Sequence, residues 1–211
     1  MKTINPFAVL RKLRSYFLRK KLKDKAVTII SNNCTAGIIY NVFGLKFLSP
    51  TINLQISDED FPFFINSLRG FLLSDVIEKK TKYNYPVGVI TFEGKSVEIH
   101  FKHYRDFQDA KLKWDERKAR VNESNICVVW MINNDITDAK INCFLNLKID
   151  KKMLITYKEI NANGVLSLDI FNKKNYKNGE VFWYKNWFSV KRNIEKIDFI
   201  SFLNNGECKY E

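Results

Sequence analysis

Seven consecutive apolar residues, Ile126–Ile132 (ICVVWMI), constrain this chain more than any other stretch. A run without polar alternation reads as a strand buried on both faces, and such strands lie at the centre of sheets covered by helices. Met153–Thr156 is a second apolar run, and Ala26–Ser31 (AVTIIS) is a third, rich in β-branched residues. Between them the pattern turns helical. Thr35–Phe43 reads as a helix ending near Gly44, a residue suited to a left-handed cap. Ile52–Ile56 reads as a strand. Ser57 and Asp60 offer capping oxygens for a helix through about Leu73, with Pro62 near its start. Val87–Phe92 and Ser96–Lys102 alternate around Glu93-Gly94-Lys95, a hairpin signal. A long helix is expected from Asp106 to Val121 and a last one near Asn193–Leu203. This alternation predicts an α/β fold: a three-layer sandwich around a mixed, mostly parallel sheet. The 211 residues, 45% of them hydrophobic, bury one such core, so residues 26–211 read as a single domain.

Residues 1–25 stand apart. They carry nine basic side chains against one acidic, +8 of the net +12, which leaves +4 for the rest. With the charge so concentrated, and with no helix-turn-helix, zinc-finger or RNP-like pattern, nucleic acid is not an expected partner. Over Phe7–Lys23 a helix places Leu10, Leu13 and Phe17 on one face and Lys12, Arg19 and Lys23 opposite, with Arg14 and Lys21 at the borders. Two readings follow: a basic amphipathic helix lying on an anionic membrane surface, or a helix docked by its apolar stripe onto the body. No stretch has the apolar length of a membrane span, and no signal-peptide pattern is present. Four scattered cysteines and two histidines give neither a disulfide framework nor a metal site. The expected location is the cytoplasm, peripheral to the inner face of the cell membrane if the helix binds lipid.

Walker, G-x-G-x-x-G, G-x-S-x-G and H-E-x-x-H patterns are absent. Cys34 follows the first strand and precedes the first helix of the domain. Unpaired N–H groups and the helix dipole at such a junction favour a thiolate, so Cys34 is a candidate nucleophile with a depressed pKa. The alternative is a buried thiol, with Asn32 and Asn33 as turn and capping residues. His103 continues the face of Val97, Ile99 and Phe101 past the strand's end, where a base could reach the sulfur, whereas His100 points the other way, to solvent. On the long helix, Phe107, Ala110, Trp114 and Val121 form a buried stripe interrupted by Arg117, with Arg120 beside it. A buried guanidinium needs a partner: an internal one, Asp135 or Asp58, or an anionic ligand.

Several of these residues also resemble a bacterial family catalogued as a domain of unknown function and labelled exopolysaccharide biosynthesis protein. The likeness is carried by Ser31-Asn32-Asn33-Cys34, Gly37, Tyr40, Gly44-Leu45 and Ser49-Pro50-Thr51. It continues through Asp60-Phe61, Pro86-Val87-Gly88 and His103-Tyr104, then Trp114, Arg117, Arg120 and Asn122 in a W-x-x-R-x-x-R-V-N pattern. It spans the chain from about Ala26 and leaves the N-terminal helix outside. The family carries a histidine where this chain has Tyr157, and a more acidic segment at Asn133-Asn134-Asp135. Asn33-Cys34 is also similar to capsule-biosynthesis acetyltransferases that bind coenzyme A. These resemblances imply a transferase of exopolysaccharide, capsule or lipopolysaccharide biosynthesis, moving an acyl group from acetyl-coenzyme A to a sugar hydroxyl. Cys34 would be the nucleophile and His103 the proton carrier, with Asn32 or Asn33 donating to the oxyanion. Trp114, Arg117, Arg120, Asn122 and Asp135 would bind substrate or donor, without a metal. A glycosyl- or phospho-sugar transferase using Asp135 and the arginines is the enzymatic alternative. A membrane-recruited accessory protein is the non-enzymatic one.

Overall fold

The computed structural model describes residues 6–132, 136–168, 180–186 and 188–210. The three apolar runs become strands of one parallel sheet: β1 (Thr28–Ser31), β5 (Ile126–Met131) and β6 (Lys151–Thr156), with β7 (Val165–Ser167) completing the order β1-β5-β6-β7. Antiparallel pairing is confined to a separate sheet of β2 (Val76–Lys79), β3 (Val87–Phe92) and β4 (Lys95–His100), with β3 in the middle. The β3–β4 turn has positive φ at both Glu93 and Gly94 (50° and 73°), the geometry that matches strand twist in a two-residue hairpin.

Both faces of the parallel sheet are covered, as the unbroken apolar run requires. Cys127, Val129 and Met131 face α2 (Thr35–Phe43) and α7 (Phe199–Asn205), where Ile39, Phe43, Phe199 and Phe202 are buried. Val128, Trp130 and Ile132 face the antiparallel sheet, together with α3 (Phe61–Asn66), α4 (Leu68–Leu73), α5 (Phe107–Lys118) and Phe144 of α6 (Asp138–Leu145). Each of these large side chains contributes about 1.5–3 kcal/mol on burial, so both faces drive folding. The mixed α/β expectation stands, with its antiparallel part segregated into a sheet of its own.

Local expectations meet mixed outcomes. Thr35–Phe43 and its Gly44 cap (φ 60°) are found as read. The helix expected through Leu73 is broken at Ser67 into α3 and α4. The C-terminal helix is split too, into a 3-10 turn (Asn193–Lys196) and α7, which starts behind the Asp198 cap. Nothing in the pattern singles out β2 or α6, because each buries a single residue, Val76 and Phe144. Ile52–Ile56 is a correction, since it joins no ladder. It bridges the two sheets instead: Ile56 N donates to Asn32 O (2.9 Å), and Gln55 exchanges both backbone hydrogen bonds with His100 at the end of β4. That bridge brings the residues after β1 and after β4 together.

β1 is an edge strand, and side-chain hydroxyls complete it. Ile29 N donates to Tyr40 Oη (2.9 Å), whose hydroxyl donates to Val27 O (2.9 Å), and Ser31 N donates to Thr51 Oγ1 (3.1 Å). Unpaired edge N–H groups are costly when buried. Tyr40 and Thr51 therefore stand in for the missing neighbour strand.

N-terminal α1 (Pro6–Lys20) is docked, but not by its apolar stripe. Arg14 pairs with the buried Glu195, and Arg19 Nη1 donates to Gly44 O (3.0 Å). Leu10, Leu13 and Phe17 remain exposed. Of the two readings, docking by the stripe of Leu10, Leu13 and Phe17 is therefore not what is found.

Candidate active site

At the carboxyl end of β1 the chain turns through Asn32, Asn33 and Cys34 into α2. Asn33 Oδ1 accepts from Thr35 N (3.0 Å), and Ser31 Oγ accepts from Ala36 N (2.9 Å), so side chains satisfy two N–H groups of the first turn. Asn32 ties β1 to β5. Its Oδ1 accepts from Met131 N (3.0 Å), and its Nδ2 donates to Met131 O and to Asp58 Oδ1 (both 3.0 Å). Asp58 Oδ1 also accepts from the buried Trp130 Nε1 (3.1 Å). Both amide hydrogens of Asn32 are engaged, so Asn32 has none to offer an oxyanion, while the Asn33 oxygen caps α2.

Cys34 stands in front of this scaffold. Its Sγ lies 3.2 Å from His103 Nε2. With the ring proton on Nδ1, the neutral imidazole accepts the thiol hydrogen. The sulfur is half-buried and the imidazole is exposed, so the pair opens onto the surface. Burial pushes the Cys34 thiol up from its ordinary value, and the charge of Lys102 opposes that shift. The depressed pKa expected from the helix terminus is therefore reversed: desolvation of the thiolate outweighs the field of Lys102.

His103 is placed by its neighbours. Tyr104 Oη donates to Ile52 O (3.2 Å), and Arg117 Nη1 donates to Tyr104 Oη (2.6 Å) and to Ile52 O (3.3 Å), with its guanidinium 5.5 Å from the centre of the Phe47 ring. Arg117 is buried as expected, but it has no carboxylate partner among the described residues. Asp58 serves Asn32 and Trp130 instead, and Asp135 lies outside the described residues. Arg117 acts as a strut behind Tyr104. His100 is a further correction: it is half-buried, packed edge-on against the stacked rings of Tyr83 and Tyr85, rather than turned to solvent.

The remaining candidates lie elsewhere. Trp114 is a core residue packed on Phe64 and Phe101. Arg120 pairs with Glu116 (3.7 Å) past the end of α5. Asn122 N donates to Thr28 Oγ1 (2.8 Å) and its Nδ2 to Ala26 O, at the amino end of β1, away from Cys34. Sequence reasoning missed Lys102, the cation that acts on the thiol, and Asn53. Asn53 is exposed, has φ 62°, and its Oδ1 lies 3.9 Å from where a Cβ on Gly37 would stand, beside the first turn of α2. Asparagine tolerates that conformation, but nothing in the local sequence announces it.

Residues 7–204 match the family described as a domain of unknown function (DUF1919). The match includes α1, which the resemblance drawn from Ala26 onward leaves outside. A protein of Haemophilus influenzae (strain ATCC 51907 / DSM 11121 / KW20 / Rd), described as an uncharacterized protein, is 28% identical over 212 residues, covering 96% of this chain and 100% of the relative.

Proposed function

We propose that this chain, which belongs to the DUF1919 family of unknown function, is an acyltransferase whose nucleophile is Cys34 and whose base is His103. The contact that carries the reading is Cys34 Sγ to His103 Nε2 at 3.2 Å, at the carboxyl end of a parallel strand, where α/β sheets hold ligands. The resemblance to exopolysaccharide and capsule proteins supports a sugar hydroxyl as acceptor and a cytoplasmic site of action.

Burial disfavours the thiolate of Cys34, so in this reading attack proceeds with His103 taking the thiol proton. The Cys34 Sγ–acyl carbon bond forms, the bond from that carbon to the donor's sulfur breaks, and the His103 proton passes to the departing thiolate. In the second half, His103 takes the proton of the sugar hydroxyl, the hydroxyl oxygen bonds the acyl carbon, and Cys34 leaves and is reprotonated. Lys102, exposed and close enough to act on the thiol, suits the anionic part of a donor such as acetyl-coenzyme A. Arg117 suits it poorly, because its guanidinium is turned inward onto Tyr104 and Ile52.

Intact-mass analysis after incubation with acyl-coenzyme A thioesters tests the reading. The expected result is one acyl group per chain, mapped to Cys34, absent from Cys34→Ala and formed about 100-fold or more slowly in His103→Ala. No adduct with any thioester, or an adduct on the exposed Cys143 alone, overturns it.

A further inference from the structure

α1 meets the body through one side only. Arg11 donates from Nε and Nη2 to Ser189 O (3.0 and 2.8 Å) and lies 3.7 Å over the Tyr184 ring, while Arg14 reaches the buried Glu195. Leu18 packs against the core, and Leu22 beyond the helix end enters it. At 100° per residue these docking positions share one side, and the other carries Val9, Leu10, Leu13, Tyr16 and Phe17 across an arc of roughly 120°. Those five are between 44% and 55% exposed. The docking contacts thus fix the helix with its apolar arc turned to water, which is not how a helix that merely completes a core is arranged.

The rim of the arc identifies its occupant. Lys12 and Lys21 are exposed on either side of it, the exposed Lys20 lies within it at the helix end with Nζ 4.5 Å from the centre of the Tyr16 ring, and Pro6–Lys20 contains no carboxylate. A second copy seated there across a two-fold axis would set these lysines against their own symmetry mates. An anionic bilayer accepts both features, with apolar side chains in the acyl–headgroup boundary and ammonium groups on lipid phosphates. Among the described residues no helix is long and apolar enough to cross a membrane.

We propose that α1 is an interfacial helix that seats this protein on an anionic lipid surface, with Val9, Leu10, Leu13, Tyr16 and Phe17 as the inserted face. This proposal is independent of the chemistry at Cys34. It also explains why a helix held by arginines on one side keeps apolar residues on the other.

Sedimentation of the full chain with phosphatidylcholine vesicles, with and without phosphatidylglycerol, tests it. The wild-type chain should pellet with the anionic vesicles at least about tenfold more tightly than with neutral ones, and lose binding as salt rises from about 0.05 to 0.5 M. Leu13→Asp with Phe17→Asp should abolish pelleting, and Lys12→Gln, Lys20→Gln and Lys21→Gln should each weaken it about fivefold. Thermal unfolding should not change in any of them, because these side chains are exposed. Absence of pelleting with phosphatidylglycerol vesicles, or pelleting untouched by the double aspartate variant, overturns the proposal. So does self-association in light scattering that the aspartates abolish when vesicles are not bound.

Discussion

At the amino end of β1, Asn122 spends its side chain on Ala26 and Ser124 and its backbone N–H on Thr28. At the carboxyl end, about 10 Å along the strand, Asn32 is just as fully engaged with Met131 and Asp58, yet the residue in front of it is not. Cys34 makes its side-chain contact with an exposed imidazole, in a place a ligand can reach. The two ends use the same amide chemistry to opposite purposes. One closes a loop onto a strand, and the other stands behind the Cys34–His103 contact. The residues most conspicuous in the sequence pattern are divided between these tasks, so membership of the pattern does not by itself assign a role in chemistry.

The largest effect that separates bracing from reaction is expected at Asp58. Asp58→Ala orphans the buried donors of Asn32 and Trp130 and should cost about 3 kcal/mol in urea unfolding. Asp58→Asn keeps an oxygen acceptor for both and should retain most of the stability. Burial pushes the Asp58 carboxyl up from its ordinary value, against the hydrogen bond from Trp130 and the charge of Lys140. Because the folded pKa is raised, this group's contribution to stability falls as pH rises from the unfolded carboxylate value through the folded one. Asp58→Asn should remove that slope. Equal losses in both variants would show that Asp58 does not brace the carboxyl end in the way described.

Much of this framework was legible in the sequence because it rests on local signals. The unbroken run at Ile126–Ile132, the Gly44 cap and the Glu93-Gly94 turn each depend on neighbours close in the chain, and each is found. Cys34 and His103 were legible as candidates through periodicity, since one ends a strand and the other extends a buried face. Their meeting was not, because it depends on Ile52–Ile56 bridging two sheets instead of joining one. The direction of the thiol's titration is not legible for a related reason. A helix terminus can be read from local sequence, whereas desolvation comes from distant residues packed around the sulfur. The edge-completing hydroxyls of Tyr40 and Thr51 are equally silent, since nothing in the sequence shows which strand lacks a neighbour.

A smaller effect sharpens the contrast from the other end of the strand. Asn122→Ala removes the side-chain donor to Ala26 and the acceptor for Ser124, and should cost about 1–2 kcal/mol in urea unfolding. The alkylation rate of Cys34 should not move. A variant of unchanged stability but slower alkylation would carry Asn122 from the closed network to the reactive one, and the comparison would fail.

The smallest energetic effects are expected at the Cys34–His103 pair itself, where the readout is a pH profile. Both His103 and Lys102 are exposed, so His103→Ala and Lys102→Gln should each alter unfolding by no more than about 0.5 kcal/mol. Their effect on the sulfur should be visible all the same. Burial disfavours the thiolate, so alkylation of Cys34 in the wild-type chain should reach half its maximum at higher pH than free N-acetylcysteine titrated alongside. The Lys102 charge stabilises the thiolate, so Lys102→Gln should move the Cys34 profile further to alkaline pH. His103→Ala should slow alkylation at neutral pH, because the base that accepts the thiol proton is gone, and should leave the alkaline limit in place. A wild-type profile that saturates below the free-thiol value would mean a preformed thiolate–imidazolium pair. The thiol-and-base account of Cys34 would then give way to one in which the helix terminus outweighs desolvation.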